Sequence, residues 1–181
     1  MPRRASLLAL AALVLQAQAP APRQATDQLL TALKAAPTDE AAAGIEAQLR
    51  AVWQNAATPA LKLLLSRGQR ELGENAASEA VDSFDAALDL DPNLLEAWRG
   101  RAAARLRLGD APGAARDLGE VLKREPRSFE AWQDLSRLAE ARNDWRGALS
   151  AWQKLLDLDP HTPGAQDRLR DLRRRALGES A

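Results

Sequence analysis

The chain of 181 residues carries 25 basic and 25 acidic side chains, and 46% of its residues are hydrophobic, as is usual for a globular protein. The balanced charge argues against a dedicated nucleic-acid-binding protein. One histidine and no cysteine are present, which excludes disulfides, thiolate metal sites, cysteine nucleophiles and histidine-rich metal sites. The many alanine, leucine, arginine and glutamate residues favour helices.

The first residues have the pattern of a secretory signal peptide. Arg3 and Arg4 precede an apolar run over residues 5–15, which is too short for a permanent span of a hydrocarbon core about 30 Å thick. Residues 17–19 have the small-x-small form of a cleavage site, and cleavage two residues earlier or later stays open. A weak twin-arginine signal and an N-terminal helix of a cytosolic protein are the alternatives.

We therefore predict a signal peptide over residues 1–19 and an extended leader over residues 20–24. Removal of the two arginines leaves a mildly acidic mature chain. This mature chain is expected in the periplasm or outside the cell, with no stable membrane span after cleavage.

Residues 25–58 contain two apolar stripes at helical spacing, separated by a break at Pro37. The stripes are Leu29, Leu30 and Leu33, then Ile45, Leu49, Val52 and Trp53. We predict a divergent helical hairpin here, and we expect it to cap the N-terminal end of the elements that follow.

The rest of the chain repeats at a constant interval, and the register holds in six columns over three copies. The columns are Leu64, Trp98 and Trp132; Asn75, Gly109 and Asn143; Ala80, Ala114 and Ala148; Phe84, Leu118 and Trp152; Leu88, Leu122 and Leu156; and Pro92, Pro126 and Pro160. The Asn/Gly column suits a left-handed helix ending, and Asp110 and Asp144 directly after it can cap the next helix. The alanine column allows two helices to approach closely, and the proline column ends the second helix. Each repeat is therefore predicted to be a helical hairpin that stacks on its neighbours.

This pattern resembles the tetratricopeptide repeat (TPR), as found in exported bacterial TPR proteins, and the interval between the columns matches the length of that repeat. The segment Ala-Trp-Arg-Gly-Arg-Ala at 97–102 looks like the family's first helix, and Asp89 to Pro92 looks like its repeat ending. The resemblance implies an all-α fold, a right-handed α-solenoid of stacked antiparallel helix pairs. It places three repeats at 61–94, 95–128 and 129–162, within a segment over 59–162.

The family often has tyrosine in the middle of the first helix, whereas this chain has Glu71, Arg105 and Ala139 in that column. Arg101 stands in a column that is usually aliphatic. It either pairs with Asp117 on the next helix or lies solvated at the edge of the groove. Trp98 and Trp132 are expected as core anchors, whereas Trp145 either packs between repeats or faces a partner.

By resemblance, the inner faces of the first helices form a concave groove for peptides. The predicted groove residues are Lys62, Leu65, Gln69, Leu72, Glu96, Arg99, Ala103, Leu106, Glu130, Gln133, Arg137 and Glu140. Arg99 and Arg137 are the best-placed donors for a carboxylate. Some family members clamp acidic C-terminal tails with cations, but two of the matching places here hold Glu130 and Asp134, which argues against that mode.

Residues 163–181 are predicted to form a C-terminal capping helix, which starts at Thr162-Pro163, and a tail. A polar last helix closes a solenoid without an exposed core. An arginine patch for anionic lipid or nucleic acid is the alternative, although Asp167 and Asp171 would partly neutralise it.

The sequence shows no phosphate-binding loop, metal-ligand cluster or nucleophile motif, so we predict no catalytic residue, no metal and no cofactor. His161 is expected as a solvated turn residue. The leading hypothesis is an exported, non-catalytic TPR scaffold or adaptor that binds a peptide segment of a partner protein in cell-envelope assembly or maintenance. A self-associating structural module of the envelope is the alternative, and the oligomeric state stays open. No nucleic-acid partner is expected.

Overall fold

The computed structural model describes residues 22–54 and 58–178, and within them it contains nine α-helices and no strand. The helices are α1 (Pro22–Lys34), α2 (Asp39–Gln54), α3 (Pro59–Gly73), α4 (Ala77–Leu90), α5 (Leu95–Arg107), α6 (Ala111–Arg124), α7 (Phe129–Ala141), α8 (Trp145–Leu158) and α9 (Ala165–Leu177). The signal peptide predicted over residues 1–19 lies outside the described residues. The predicted all-α fold is confirmed.

The leader prediction is wrong at its C-terminal end, because α1 already begins at Pro22 and residues 22–24 are helical. Proline is well suited to the first position of a helix, since its φ is already helical and its missing N–H would have no partner there. The first helix of the hairpin therefore begins three residues before the predicted residue 25.

Three helix pairs form the repeats: α3 with α4, α5 with α6, and α7 with α8. The residues that join the two helices of each pair have positive φ, with 62° at Asn75, 81° at Gly109 and 57° at Asn143. Asp110 and Asp144 then accept hydrogen bonds from the backbone N–H groups of residues 113 and 147, at 2.8 and 2.9 Å. These distances confirm the predicted caps of α6 and α8.

Close helix packing inside the repeats depends on small residues. Ala80, Ala114 and Ala148 are all buried, as the column predicts. Phe84 fills the space between α3 and α5, where a Cβ on Gly68 would lie 2.8 Å from its ring and a Cβ on Gly100 only 2.3 Å. A side chain at either glycine would therefore push the helices apart.

The tryptophans that recur from repeat to repeat bridge consecutive repeats. The indole N–H groups of Trp98 and Trp132 donate to the carbonyls of Pro92 and Pro126, at 2.8 and 2.9 Å. Both rings are half-buried, so they hold the turn between repeats in place and are less enclosed than the core position that the column predicts. Trp145 packs beneath the guanidinium of Arg175, 4.6 Å from the ring centre, which favours the packing interpretation over the partner one.

An ion cluster around the buried Asp117 lies between α5 and α6 of the second repeat and reaches Asp85 of the first, and we call it the inter-repeat cluster. Arg101 donates to Asp117 at 3.0 and 2.8 Å and also to Asp85, while Arg105 donates to Asp117 at 2.7 Å. Asp117 is only 1% exposed, so the guanidinium groups satisfy a carboxylate that has lost its water. Of the two alternatives for Arg101, pairing with Asp117 is thus confirmed.

The N-terminal hairpin does not cap the first repeat, and that prediction is wrong. Leu30 and Leu33 of α1 and Leu49 of α2 share one core with residues of α7, α8 and α9. The rings of Trp53 and Phe129 lie 5.8 Å apart between their centres. The hairpin therefore packs on the third repeat, because the apolar surface left open there by α7, α8 and α9 matches its own leucine stripe.

Polar contacts along this boundary also correct the expectation for His161. Its Nδ1 lies 2.7 Å from a carboxylate oxygen of Asp39 and its Nε2 lies 2.8 Å from the Ala36 carbonyl oxygen. His161 is thus a contact between the α8–α9 turn and the N-terminal hairpin, not a solvated residue. We call this group of contacts the hairpin seam, and Arg127 adds an ion pair to Asp27 at 2.6 Å.

Helix α9 starts three residues later than Thr162. Gly164 has φ 72°, a left-handed conformation that breaks the chain path after Pro163 and lets the helix begin at Ala165. Leu169 and Leu172 of α9 are buried in the same core as α8, so the helix covers the end of the third repeat.

Candidate functional site

The twelve predicted groove residues differ in their accessibility. Lys62, Gln69, Ala103 and Arg137 are exposed; Leu72, Glu96, Arg99, Leu106, Glu130, Gln133 and Glu140 are half-buried; and Leu65 is buried. Leu65 is part of the core of the first two repeats, so it is a packing residue and offers no surface to a ligand.

The structure brings some of these residues together around a small cavity of about 180 Å³. It is lined by Gln69, Glu96, Arg99 and Glu130, and also by Arg50 and Trp53 of α2. The two α2 residues were not predicted for the groove. Their presence means that the N-terminal hairpin itself forms one wall of this part of the site.

An ion network, which we call the groove cluster, runs through this region. Glu130 accepts from Arg99 and, at 3.1 Å, from Arg50. Arg99 also donates to Asp134 at 3.0 and 3.1 Å. The donors of Arg99 are therefore directed at two acids of α7, and this arginine is less available to a ligand than the sequence suggests.

Arg137 is the more accessible of the two predicted donors. Its side chain is 62% exposed, and its ion pair with Asp134 is long, at 3.6 Å. Such a contact leaves most of the guanidinium N–H groups directed at solvent, where a carboxylate or carbonyl could replace water.

Helix α9 adds a further wall that sequence reasoning missed. A cleft of about 620 Å³ lies between α7 and α9, and Arg168 of α9 makes an ion pair with Glu140. The cleft is lined by Gln133, Ser136, Arg137, Glu140, Trp152, Pro163, Gly164, Asp167, Arg168 and Asp171. Asp167 and Asp171 stand one full repeat after Gln133 and Arg137, so continuing the register by half a repeat would have found them.

A half-buried acid of the hairpin, Glu46, lies near the groove cluster. Burial raises the pKa of Glu46 above its ordinary value, and the nearby carboxyl of Asp159, which also hydrogen-bonds to it, acts in the same direction. Arg50 opposes this effect from the next turn of α2. Glu46 therefore holds a proton to higher pH than an exposed glutamate does.

Residues 22–54 and 58–178 contain neither a membrane-spanning helix nor a metal-binding cluster. No helix there has both the length and the apolar character needed to cross a membrane. No group of three or more His, Cys, Asp or Glu residues in the same ranges is arranged to hold a metal ion.

No family model matches the chain. A TPR repeat-containing protein of Rhizobium etli is 27% identical over 157 residues, which cover 87% of this chain and 77% of that protein. The TPR domain of Sgt2 from Aspergillus fumigatus superimposes with a TM-score of 0.61 at 24% identity, covering 66% of this chain and 81% of that one. The chain is therefore similar in sequence to TPR proteins, and it shares the helical solenoid fold of TPR domains. The first TPR domain of RPAP3, in a structure with an HSP90 peptide, gives the same TM-score at 21% identity and covers 68% of this chain and 97% of that one.

The polar substitutions in the TPR tyrosine column have local partners. Glu71 accepts from Ser83 at 2.6 Å and from Arg67 at 2.7 Å, and these two contacts lower the pKa of its carboxyl. Arg105 is held by Asp117 in the inter-repeat cluster. Hydrogen bonds between the two helices of a repeat thus replace the packing that a tyrosine would supply.

Proposed function

We propose that this protein is an exported, non-catalytic TPR scaffold that binds an extended peptide segment of a partner protein in the envelope. The segment lies in the concave groove, with the cleft between α7 and α9 as its main contact. The observation that carries the proposal is Arg137, whose largely exposed guanidinium lines a cleft of about 620 Å³. Residues around it supply both hydrogen-bond donors and acceptors, so the mechanism is positioning and affinity without a chemical step.

The comparison with RPAP3 supports peptide binding as the mode of action. That protein was solved with the HSP90 peptide SRMEEVD, and the shared fold offers an equivalent concave surface here. The ligand chemistry differs, however, because Glu130 and Asp134 occupy two of the places where family members carry cations for an acidic tail. A segment with both acidic and basic side chains fits the mixed charges of Arg137, Asp167 and Asp171 better.

Site-specific crosslinking tests where the partner binds. A photoreactive amino acid replaces Arg137 in one version of the protein and Gln153, an exposed residue of α8, in a matched control. Both versions are expressed in the native host and irradiated. We expect an adduct with a different protein at position 137 and none at position 153. Adducts at 153 alone would place binding outside the groove, and an adduct of twice the chain mass would indicate self-association.

The crosslinked segment then provides a quantitative test. Once mapped by mass spectrometry, it is synthesised and titrated into the wild-type protein, Arg137→Ala and Gln153→Ala. We expect Arg137→Ala to weaken binding about tenfold, since a charge-assisted hydrogen bond contributes about 1.5–3 kcal/mol. Equal affinity in all three proteins would contradict the groove as the binding surface.

The export part of the proposal rests on the N-terminal sequence. Arg3, Arg4, the apolar run over 5–15 and the small residues that follow support it. Mass spectrometry of the protein from its native host is expected to find a mature N-terminus between residues 18 and 22. Recovery of the chain with Met1 in the cytosolic fraction would contradict export.

A further inference from the structure

The exposed stripe on α3, which we call the α3 end face, differs from its counterparts in the later repeats. It consists of Ala60, Leu63, Arg67 and Arg70, which lie at i, i+3, i+7 and i+10 and therefore share one side of the helix. Leu63 is 69% exposed. The face lies at the end of the solenoid that the N-terminal hairpin was expected to cover.

The equivalent residues one and two repeats later are covered by the preceding helix. They are Leu94, Ala97, Arg101 and Ala104 in the second repeat and Ser128, Ala131, Leu135 and Leu138 in the third. Ala97 and Ala131, which correspond to Leu63, are both 0% exposed. Helix α4 covers this stripe on α5, and α6 covers it on α7. The main helix contacts of α3 are with α4 and α5, so the same stripe on α3 stays open.

Helix α4 shows what kind of helix fits such a stripe. Its Ala80, Phe84 and Ala87 share a core with Leu94, Ala97 and Ala104, and its Asp85 makes an ion pair with Arg101. The side chain of Arg101 is only 13% exposed as a result, whereas that of the equivalent Arg67 is 58% exposed. A helix seated on the α3 end face would therefore need an apolar side and an acid opposite Arg67.

The charge of the α3 end face points to an acidic partner. Arg67 pairs with Glu71 on its own helix and stays 58% exposed, and Arg70 is exposed beside it and makes no ion pair among the described residues. Two α3 end faces placed against each other would bring Arg67 and Arg70 of one copy close to those of the other, and the like charges would repel. Residues 1–21 contain two arginines and no acid, so they lack the required carboxylate.

We propose that the α3 end face is a second interaction surface, which binds an acidic amphipathic helix of another protein in the way that α4 binds α5. Leu63 supplies the apolar contact, and Arg67, with Arg70 beside it, supplies the electrostatic one. This surface is separate from the concave groove, and its ligand is a helix in place of an extended peptide.

A peptide with the sequence of α4 is the probe. Residues 77–90 are synthesised with a fluorescent label and a hydrocarbon staple on the side away from Phe84, because isolated helices of this length are marginal in water. The peptide is titrated into the full chain by fluorescence anisotropy. We expect saturable binding that Leu63→Asp weakens about tenfold or more, since an exposed leucine that becomes buried contributes a factor of this size. The peptide could instead bind by displacing α4 from its own place in the fold. Leu63 does not line that place, so binding of this kind would not be weakened by Leu63→Asp.

A double-mutant cycle tests the charge contact. Arg67→Gln in the protein and Asp85→Asn in the peptide are each expected to weaken binding up to about fivefold, and their combination no further, because both remove the same ion pair.

Arg137→Ala is the matched control for the groove and should bind the peptide as the wild type does. Equal affinities for wild type and Leu63→Asp, or an absence of saturable binding, would overturn the proposal. Light scattering that shows a wild-type dimer and a Leu63→Asp monomer would also overturn it, because the occupant would then be a second copy.

Discussion

Two clusters of arginine and carboxylate side chains lie in neighbouring parts of the solenoid and have different surroundings. In the inter-repeat cluster, Asp117 is almost completely buried and receives Arg101 and Arg105. In the groove cluster, Glu130 and Asp134 are half-buried and receive Arg99 and Arg50. The same residue types thus form a permanent connection between the two helices of a repeat in one place and an accessible surface in the other.

The comparison shows that burial decides what an ion pair does. A buried carboxylate without its cations is a large destabilisation, whereas water can replace a lost partner at a half-exposed one. The inter-repeat cluster therefore fixes how α5 packs on α6 within the second repeat, and the pair between Arg101 and Asp85 links this repeat to the first. The groove cluster can exchange its partners with those of a ligand at a small cost in free energy.

Removal of Asp117 is the strongest test of this difference. Asp117→Ala leaves Arg101 and Arg105 without their shared carboxylate, and we expect the free energy of unfolding to fall by about 3 kcal/mol, at the lower end for a broken buried ion pair. Urea denaturation followed by circular dichroism measures the change. Asp157→Ala, at an exposed aspartate of α8, is the control and should change stability by less than about 0.5 kcal/mol. Similar midpoints for the two variants would show that burial does not separate the clusters.

The packing around the inter-repeat cluster is tested by enlarging Ala114, which lies on the same helix as Asp117. Ala114 is 1% exposed, so Ala114→Leu should destabilise the fold by about 1–3 kcal/mol through overpacking. Ala103→Leu adds the same atoms at an exposed position of α5 and is expected to leave the denaturant midpoint nearly unchanged. An unchanged midpoint for Ala114→Leu would show that α6 can shift without loss.

The groove cluster is tested by comparing its two predicted donors. Arg99→Ala removes contacts to both Glu130 and Asp134 and should lower the free energy of unfolding by about 1–2 kcal/mol, because charge-assisted hydrogen bonds are lost in a half-buried setting. Arg137→Ala removes one long, exposed contact and should cost less than about 1 kcal/mol. Of the two predicted donors, Arg137 is therefore the more accessible to a ligand. A larger loss in the free energy of unfolding for Arg137→Ala than for Arg99→Ala would show that Arg137 is the arginine more firmly held by its neighbours.

The sequence predicted the features that a fixed register determines. The left-handed residues at 75, 109 and 143, the caps by Asp110 and Asp144, and the buried alanine column all follow from local helix chemistry that recurs in every repeat. Half a further repeat in the same register would also have placed Asp167 and Asp171 in the groove.

Contacts between distant parts of the chain could not be predicted in this way. The hairpin of α1 and α2 lacks the repeat columns, so its amphipathic pattern predicted two helices but not the surface that they cover. Arg50 therefore enters the groove cluster, and His161 the hairpin seam, from positions that no spacing rule relates to their partners. Because the hairpin packs on the third repeat and not on the first, the α3 end face also stays open.

The hairpin seam holds the N-terminal hairpin against the third repeat, and the hairpin contributes Arg50 to the groove cluster. A change of pH that weakens the seam is therefore expected to have the smallest effect on the groove cluster. Both partners of His161, the Asp39 carboxylate and the Ala36 carbonyl, accept hydrogen bonds, so both contacts form only when both ring nitrogens carry a proton. The contact with Asp39 raises the pKa of His161 above its ordinary value of 6.5. A raised histidine pKa means that the seam contact is fully present below about pH 6.5 and is lost as the pH rises through the folded-state pKa.

The raised pKa of Glu46 acts in the same direction at lower pH. Partial burial disfavours the negative charge that a glutamate carboxyl ordinarily carries above its usual pKa of 4.5. We therefore expect the hairpin to separate slightly more from the third repeat as the pH rises from 6 to 9. The chain has no cysteine, so Ala47→Cys and Gln153→Cys allow clean double labelling, and energy transfer between the labels reports the separation. Transfer should fall with rising pH in this protein and stay nearly constant above pH 6 after His161→Gln, which cannot gain the second proton. If the energy transfer still changes with pH between 6 and 9 after His161→Gln, other groups cause the change. His161 would then not control how closely the hairpin, with Arg50, lies against the third repeat.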